Sequence, residues 1–157
     1  MRTLLVTTLV VLLTFSAGLA WAEPAQQVLV TPEAIVWKPG PPTIPAGAMI
    51  AVLSGDPTKP GPFVIRARLP AGYRLPAHVH PIDEYATVIQ GTLMVGTGER
   101  ISEAESTALP AGSFRVTPAG VPHYLWVKDE TIFQVHGVGP GGITYIDPAD
   151  DPRNTPR

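Results

Sequence analysis

No cysteine occurs in the 157 residues. This excludes disulfide staples, thiolate metal sites and lipid attachment through an N-terminal cysteine. The fold must hold by packing, and any bound metal must take nitrogen and oxygen ligands. Charge is also sparse: Asp, Glu, Lys and Arg make up 15% of the chain, with a formal net charge of −2. That balance offers no electrostatic attraction for nucleic acid or for an anionic membrane surface.

One apolar run stands out, at the N-terminus. Arg2 precedes Leu4 to Phe15, small residues follow at Ser16, Ala17 and Gly18, and Ala20-Trp21-Ala22 stands just ahead of Glu23. This is the layout of a secretory signal, with small side chains at the two positions a signal peptidase reads. The rival reading is a membrane-anchoring helix. Leu4 to Ala22 is only marginally long enough to span a bilayer, its end is interrupted by Ser and Gly, and Glu23-Pro24 follows at once. Cleavage after Ala22 is therefore expected, with a periplasmic or secreted location and no membrane attachment afterwards. The mature chain would keep 135 residues at net charge −3, because Arg2 leaves with residues 1–22. That length suits one domain with a real core.

The chain is rich in turn formers, with 15 glycines and 19 prolines scattered as punctuation. Such spacing implies many short segments joined by turns. Residues 23–47 form a Pro-rich lead-in with a strand expected at Ala34–Trp37. Further strands are expected at Met49–Leu53, Phe63–Leu69, Tyr85–Gln90, Thr92–Gly96, Ser113–Thr117, His123–Val127, Thr131–Val138 and Ile143–Ile146. Their β-branched and aromatic content predicts an all-β sandwich or barrel over residues 48–146. A short helical turn is expected at Ile101–Ser106, capped by Ser102 with Glu103 and Glu105 in its first turn. Residues 147–157 read as a polar tail, docked or frayed.

The chemistry concentrates in two stretches. From Gly72 the chain reads G-x5-H-x-H-x3-E-x6-G through His78, His80, Glu84 and Gly91. Two histidines two residues apart on a strand point to one face. Pro81-Ile82-Asp83 then turns the chain so that Glu84 can return toward that face. Gly91 is expected in a tight hairpin that needs no Cβ. From Gly112 the chain reads G-x5-P-x-G-x2-H through Pro118, Gly120 and His123, a turn that opens a new strand. The two stretches are separated by residues 92–111, enough for a strand, a short turn and a return.

These paired stretches resemble the two motifs of the cupin superfamily, with matching spacing up to His123. The resemblance covers roughly residues 48–140. It implies a small jelly-roll β-barrel, with His78, His80, Glu84 and His123 as the four metal ligands, and a homodimer. Where the second motif usually carries Asn four residues after its His, this chain has Val127, which removes a supporting hydrogen bond rather than a ligand. Three imidazoles and a carboxylate suit one divalent ion of Fe, Mn, Ni, Cu or Zn. The resemblance further implies a metal-dependent enzyme, dioxygenase-like, acting on a small organic substrate, with Glu84 also placed to accept a proton. The alternatives are a binding or sensing module that holds a metal or metal-bound ligand without turnover, and a structural cupin stapled by its metal.

Other polar positions carry less. If Asp129-Glu130 is a two-residue hairpin loop, His136 and Gln134 fall on the His123 face, where they would support the ligands or face the substrate; a three-residue loop sends them to the other face. Arg66 and Arg68 share a face of one strand, expected to be the solvent face. Tyr124 and Trp126 lie opposite His123 by period-two counting and are expected to pack between sheets or in a dimer contact. Asp147, Asp150 and Asp151 lack the alternation of a calcium loop and read as a solvated tail.

Overall fold

The computed structural model describes residues 27–154; the expected signal segment and its cleavage site lie outside the described residues. Short segments of alternating burial form strands in the order β1 (Lys38–Pro39), β2 (Met49–Ser54), β3 (Gly61–Leu69), β4 (Arg74–Val79), β5 (Glu84–Gln90), β6 (Thr92–Thr97), β7 (Thr107–Pro110), β8 (Phe114–Thr117), β9 (His123–Trp126), β10 (Thr131–Gly139) and β11 (Thr144–Tyr145). They assemble into two antiparallel sheets. One has six strands in the order β1-β2-β3-β10-β5-β8, the other five in the order β11-β4-β9-β6-β7. Consecutive strands often belong to opposite sheets, and this alternation makes the all-β jelly roll that the motifs implied.

The sheets face each other across an apolar core. Phe63, Ala67 and Leu69 of β3, Ala86 and Val88 of β5, and Phe133 and Val135 of β10 meet Leu93 and Val95 of β6 and Leu125 of β9. All sit at period-two positions, so each strand presents one face inward. Burying each large apolar side chain there contributes about 1.5–3 kcal/mol. The outer face of the five-stranded sheet has a second cluster of Ala77, Tyr124 and Trp126, with Met94, Ile101 and Ile146 against it.

Several expectations are corrected. Residues 101–106 form no helix but a single turn, in which the Ser106 N–H donates to the Glu103 carbonyl at 3.3 Å. Ser106 donates its hydroxyl to the Ser102 carbonyl at 2.7 Å, and this segment lies over Tyr124 and Trp126. The Tyr124 hydroxyl donates to the Ser102 carbonyl at 3.0 Å, and the Trp126 indole N–H to the Ser106 hydroxyl at 2.9 Å. These aromatics are thus covered by the chain itself on the outer face, not between the sheets. The strand expected at Ala34–Trp37 is replaced by a 3-10 turn at Pro32–Ala34, with Lys38 and Pro39 pairing against Ile50 and Met49. The strand expected to carry His78 is β4, and the return expected before Gly112 is β7. Pro76 argues against a paired strand, yet it is tolerated because β4 bulges there. In the described part of the tail, to residue 154, Asp147 caps a 3-10 turn at Pro148–Asp150, and Asp151 pairs with Arg153 at 2.5 Å.

Neither expected hairpin exists. At Gly91 the chain passes from β5 in one sheet to β6 in the other. Its φ is +76°, and a Cβ would meet the Glu130 carbonyl at 2.6 Å and the Thr131 hydroxyl at 2.7 Å. Glycine is required by this close approach as well as by its backbone conformation. The neighbouring Asp129-Glu130 step likewise crosses between sheets, and the fully buried Thr131 donates to the Thr92 carbonyl at 3.2 Å.

Candidate metal centre

The site begins with a bulge. Leu75 lies opposite Leu125, and His78 lies opposite His123, so β4 advances three residues where β9 advances two. The extra residue, accommodated at Pro76-Ala77, resets the alternation. Ala77 joins the outer cluster, while His78 turns inward beside His123; both histidines are 1% exposed. His80 follows two residues later on the same face, just past the end of β4.

Backbone bonds clip the two motifs together. The His80 carbonyl accepts from the Gly120 N–H at 2.9 Å, and the Asp83 carboxylate accepts from the Ala119 N–H at 2.8 Å. Glu84 opens β5 directly opposite Thr117, the last residue of β8 before the Pro118–Gly120 turn. The spacing within each motif therefore matches the reach needed for one motif to hold the other.

The three imidazoles converge. Ring centroids are 4.8 Å apart for His78 and His80, 4.2 Å for His78 and His123, and 5.1 Å for His80 and His123. One potential ligand atom from each lies within 4.8 Å of the others. Each ring is oriented by its Nδ1, which contacts the carbonyl of Pro76 at 2.6 Å, of Gly142 at 2.6 Å and of Val121 at 2.9 Å, respectively. A carbonyl can only accept, so each Nδ1 carries the proton and donates it. This leaves a lone pair on Nε2 when the ring is neutral. His123 Nε2 is buried without a hydrogen-bond partner, an orphan that a metal ion would satisfy.

Electrostatics divides the cluster. Burial, with the neighbouring His123, pushes the His78 imidazole down to about 3, and burial pushes His123 down to about 4. Both stay neutral in the ligating form. At His80, burial pulls the pKa down, but the hydrogen bond and charge of Glu84 outweigh it and the net direction is upward. Glu84 is the mirror case: burial raises its pKa, while His80 and the other two imidazoles bring it below the usual carboxylate value. His80 Nε2 and Glu84 Oε2 are 3.3 Å apart, with side chains 17% and 19% exposed. Glu84 thus joins the cluster from the His80 side, where solvent reaches it, while the mutual group of ligand atoms comprises the three histidines.

Gln134 and His136 do not reach the site. Strand β10 pairs with β3 and β5 rather than β9, so the hairpin premise fails. Phe133 and Val135 face the core; Gln134 and His136 face outward. Gln134 accepts from Arg66 Nε at 3.1 Å, and exposed His136 stacks on Tyr85 with centroids 5.2 Å apart. Arg66 shares this outer face, as expected. Sequence reasoning also missed Arg115. It lies opposite buried Ala86, two residues from the partner of Glu84, so its side chain is directed into the barrel. No signal in the sequence singles it out, because only the pairing with β5 shows which face of β8 turns inward.

Residues 29–154 match a family model described as a domain of unknown function, DUF4437. The chain belongs to this family. No curated protein matches the sequence. Among solved structures, this DUF4437 protein is similar to the polyketide cyclase RemF from Streptomyces resistomycificus, at 14% identity and a TM-score of 0.67 over 81% of this chain and 90% of that one. It is similar to a protein of Methylibium petroleiphilum PM1 provisionally described as an acetylacetone dioxygenase, at 20% identity and TM-score 0.63 over 83% and 88% of the two chains. A third is an RmlC-like cupin from Shewanella frigidimarina NCIMB 400, at 15% identity and TM-score 0.57 over 72% and 91%. The DUF4437 domain is therefore a cupin in fold, in agreement with the paired motifs.

Proposed function

We propose that this DUF4437 cupin is an exported mononuclear metalloenzyme acting, with dioxygenase-like chemistry, on a small organic substrate. His78, His80 and His123 would hold the ion, with Glu84 as the fourth ligand and as the proton acceptor. The observation that carries this reading is the orientation of the three imidazoles. Each spends its Nδ1 proton on a backbone carbonyl, and the His123 Nε2 is buried with no partner. Donation of the other ring N–H to a carbonyl fixes the tautomer and ring direction of histidine ligands at metal sites. A bound Fe, Mn, Ni, Cu or Zn ion would supply Lewis acidity and, where redox-active, a route for electrons to dioxygen.

The chain's own groups do the rest. Glu84 sits at the solvent-reached side of the cluster beside His80, where it can take a proton from an arriving substrate. The two other histidines lie in the dry interior and stay neutral across the physiological range. The likeness to the Methylibium petroleiphilum protein supports oxygen chemistry as the first reaction class to try.

Elemental analysis of protein recovered from its export compartment tests the proposal. Near-stoichiometric metal on a chain beginning at Glu23 is expected, and His78→Ala or His123→Ala should lose it. Metal content unchanged in both variants would refute the assignment. Fe(II)-loaded protein should consume dioxygen with a β-diketone or phenolic substrate. Stoichiometric metal without uptake across such a panel, joined to tight small-molecule binding, would replace the enzyme by a sensing module.

We also propose a homodimer. Ile89, Phe114, Val116 and Val138 are 44–66% exposed on the outer face of the six-stranded sheet, and that apolar surface supports pairing with a second copy. Sedimentation should give twice the chain mass, and Phe114→Glu should return it to the monomer.

A further inference from the structure

Arg115 lacks a partner where a charged side chain normally has one. It stands on β8 opposite Ala86, which is 4% exposed and belongs to the core, so the guanidinium enters the barrel on the Glu84 face. Its strand neighbours Phe114 and Val116 point the other way, at 56% and 45% exposure. Among the described residues Arg115 forms neither a side-chain hydrogen bond nor an ion pair. Partial burial lowers its pKa, and the charge of Glu84 opposes that effect, which puts the two groups in one electrostatic neighbourhood. A half-desolvated guanidinium retained without a partner is costly unless a partner arrives.

A second observation is independent of charge. Thr117, two residues along β8 on the same face, is 3% exposed, and its hydroxyl has no hydrogen-bond partner. It lies opposite Glu84, between Arg115 and the turn that delivers His123. An unpaired guanidinium and an unpaired buried hydroxyl thus share one wall of the barrel, both beside the histidine cluster. A guanidinium fork matches the two oxygens of a carboxylate or an enolate, and a hydroxyl donates one further bond.

We infer that Arg115 and Thr117 form the anion-binding end of the substrate site, selecting a small organic acid or enolate whose opposite end reaches the histidine cluster. This rests on the reading of the cluster as a metal centre and names the substrate class for it. Arg115 is the specificity determinant, and Thr117 sets the orientation of the anion. The simple alternative is that Arg115 only offsets the charge of Glu84. That role would not depend on whether an added molecule carries a carboxylate or an amide.

Calorimetric titration of the full chain with benzoate and with its neutral counterpart benzamide separates the two roles, performed on chelator-treated and on zinc-loaded protein. Benzoate should bind the unaltered protein at least tenfold more tightly than benzamide. Arg115→Gln should erase that preference, Arg115→Lys should restore part of it, and Thr117→Val should weaken benzoate several-fold. Zinc stoichiometry and circular dichroism of the variants should match the unaltered protein. Equal affinities for benzoate and benzamide, or an undiminished preference in Arg115→Gln, would overturn the inference. Loss of zinc binding in the unaltered protein, with the benzoate preference intact in the chelated form, would instead strike the metal reading and leave the anion site standing.

Discussion

Single phenolic hydrogen bonds tie the N-terminal segment to the barrel. The Tyr145 hydroxyl donates to the Thr43 carbonyl at 2.9 Å, and the Tyr73 hydroxyl to the Pro45 carbonyl at 2.8 Å. Burial, then the nearby Asp151, pushes the Tyr145 phenol up to about 12, and burial raises Tyr73 further. A raised folded-state pKa gives stability that is intact below the unfolded value near ~10 and is lost as pH climbs through the folded one. The urea midpoint should therefore hold steady up to about pH 9.5 and fall between about 10 and 12. Tyr145→Phe should cost about 1 kcal/mol at neutral pH and flatten the alkaline fall. Superimposable profiles for the two proteins would contradict this. Side chains of this kind were only partly legible beforehand. His78, His80, Glu84 and His123 announce themselves by spacing, whereas Arg115 sits in an ordinary-looking strand and gains meaning only from what lies opposite.

At the scale of elements, one local irregularity positions the site and one close approach shapes the outer cluster. The bulge at Pro76-Ala77 sends His78 inward. On the same sheet, Gly96 of β6 lies opposite Tyr124 of β9, and a Cβ at Gly96 would overlap the Tyr124 ring. The ring occupies the space a side chain would need, held there by its bond to Ser102. Gly96→Ala should destabilise the protein by about 1–3 kcal/mol through overpacking. Combining it with Tyr124→Leu should recover part of that loss, measured as a coupling energy in denaturant unfolding. Strictly additive costs would show that the two positions do not compete for space. Period-two alternation by itself does not reveal the bulge, because only the pairing with β9 shows where the extra residue is absorbed.

For the whole molecule, the proposed ligands come from both sheets: His78 and His123 from the five-stranded one, Glu84 from the six-stranded one. An ion there would bind the folded chain and have nothing comparable to hold in the unfolded one. At a free zinc concentration a hundredfold above its dissociation constant, stability should rise by about 2.7 kcal/mol. For a domain of this size that is roughly 10 °C in melting temperature. A chelator should reverse the shift, and His78→Ala should show none. A melting temperature indifferent to zinc in the unaltered protein would count against the centre.

What the amino-acid sequence determined by itself is the local grammar: short β-segments between Gly and Pro turns, two histidines sharing a strand face, and the residue types able to hold a cation without sulfur. These depend on period, turn chemistry and composition, which act over a few residues. Only the tertiary structure decided which sheet each strand joins. That choice turned both expected hairpins into crossings, moved His136 and Gln134 to the outside, and brought Arg115 and Thr117 beside Glu84. The reason is physical: a strand's two faces are set by its neighbours across the ladder, and in a jelly roll those neighbours lie far away along the chain.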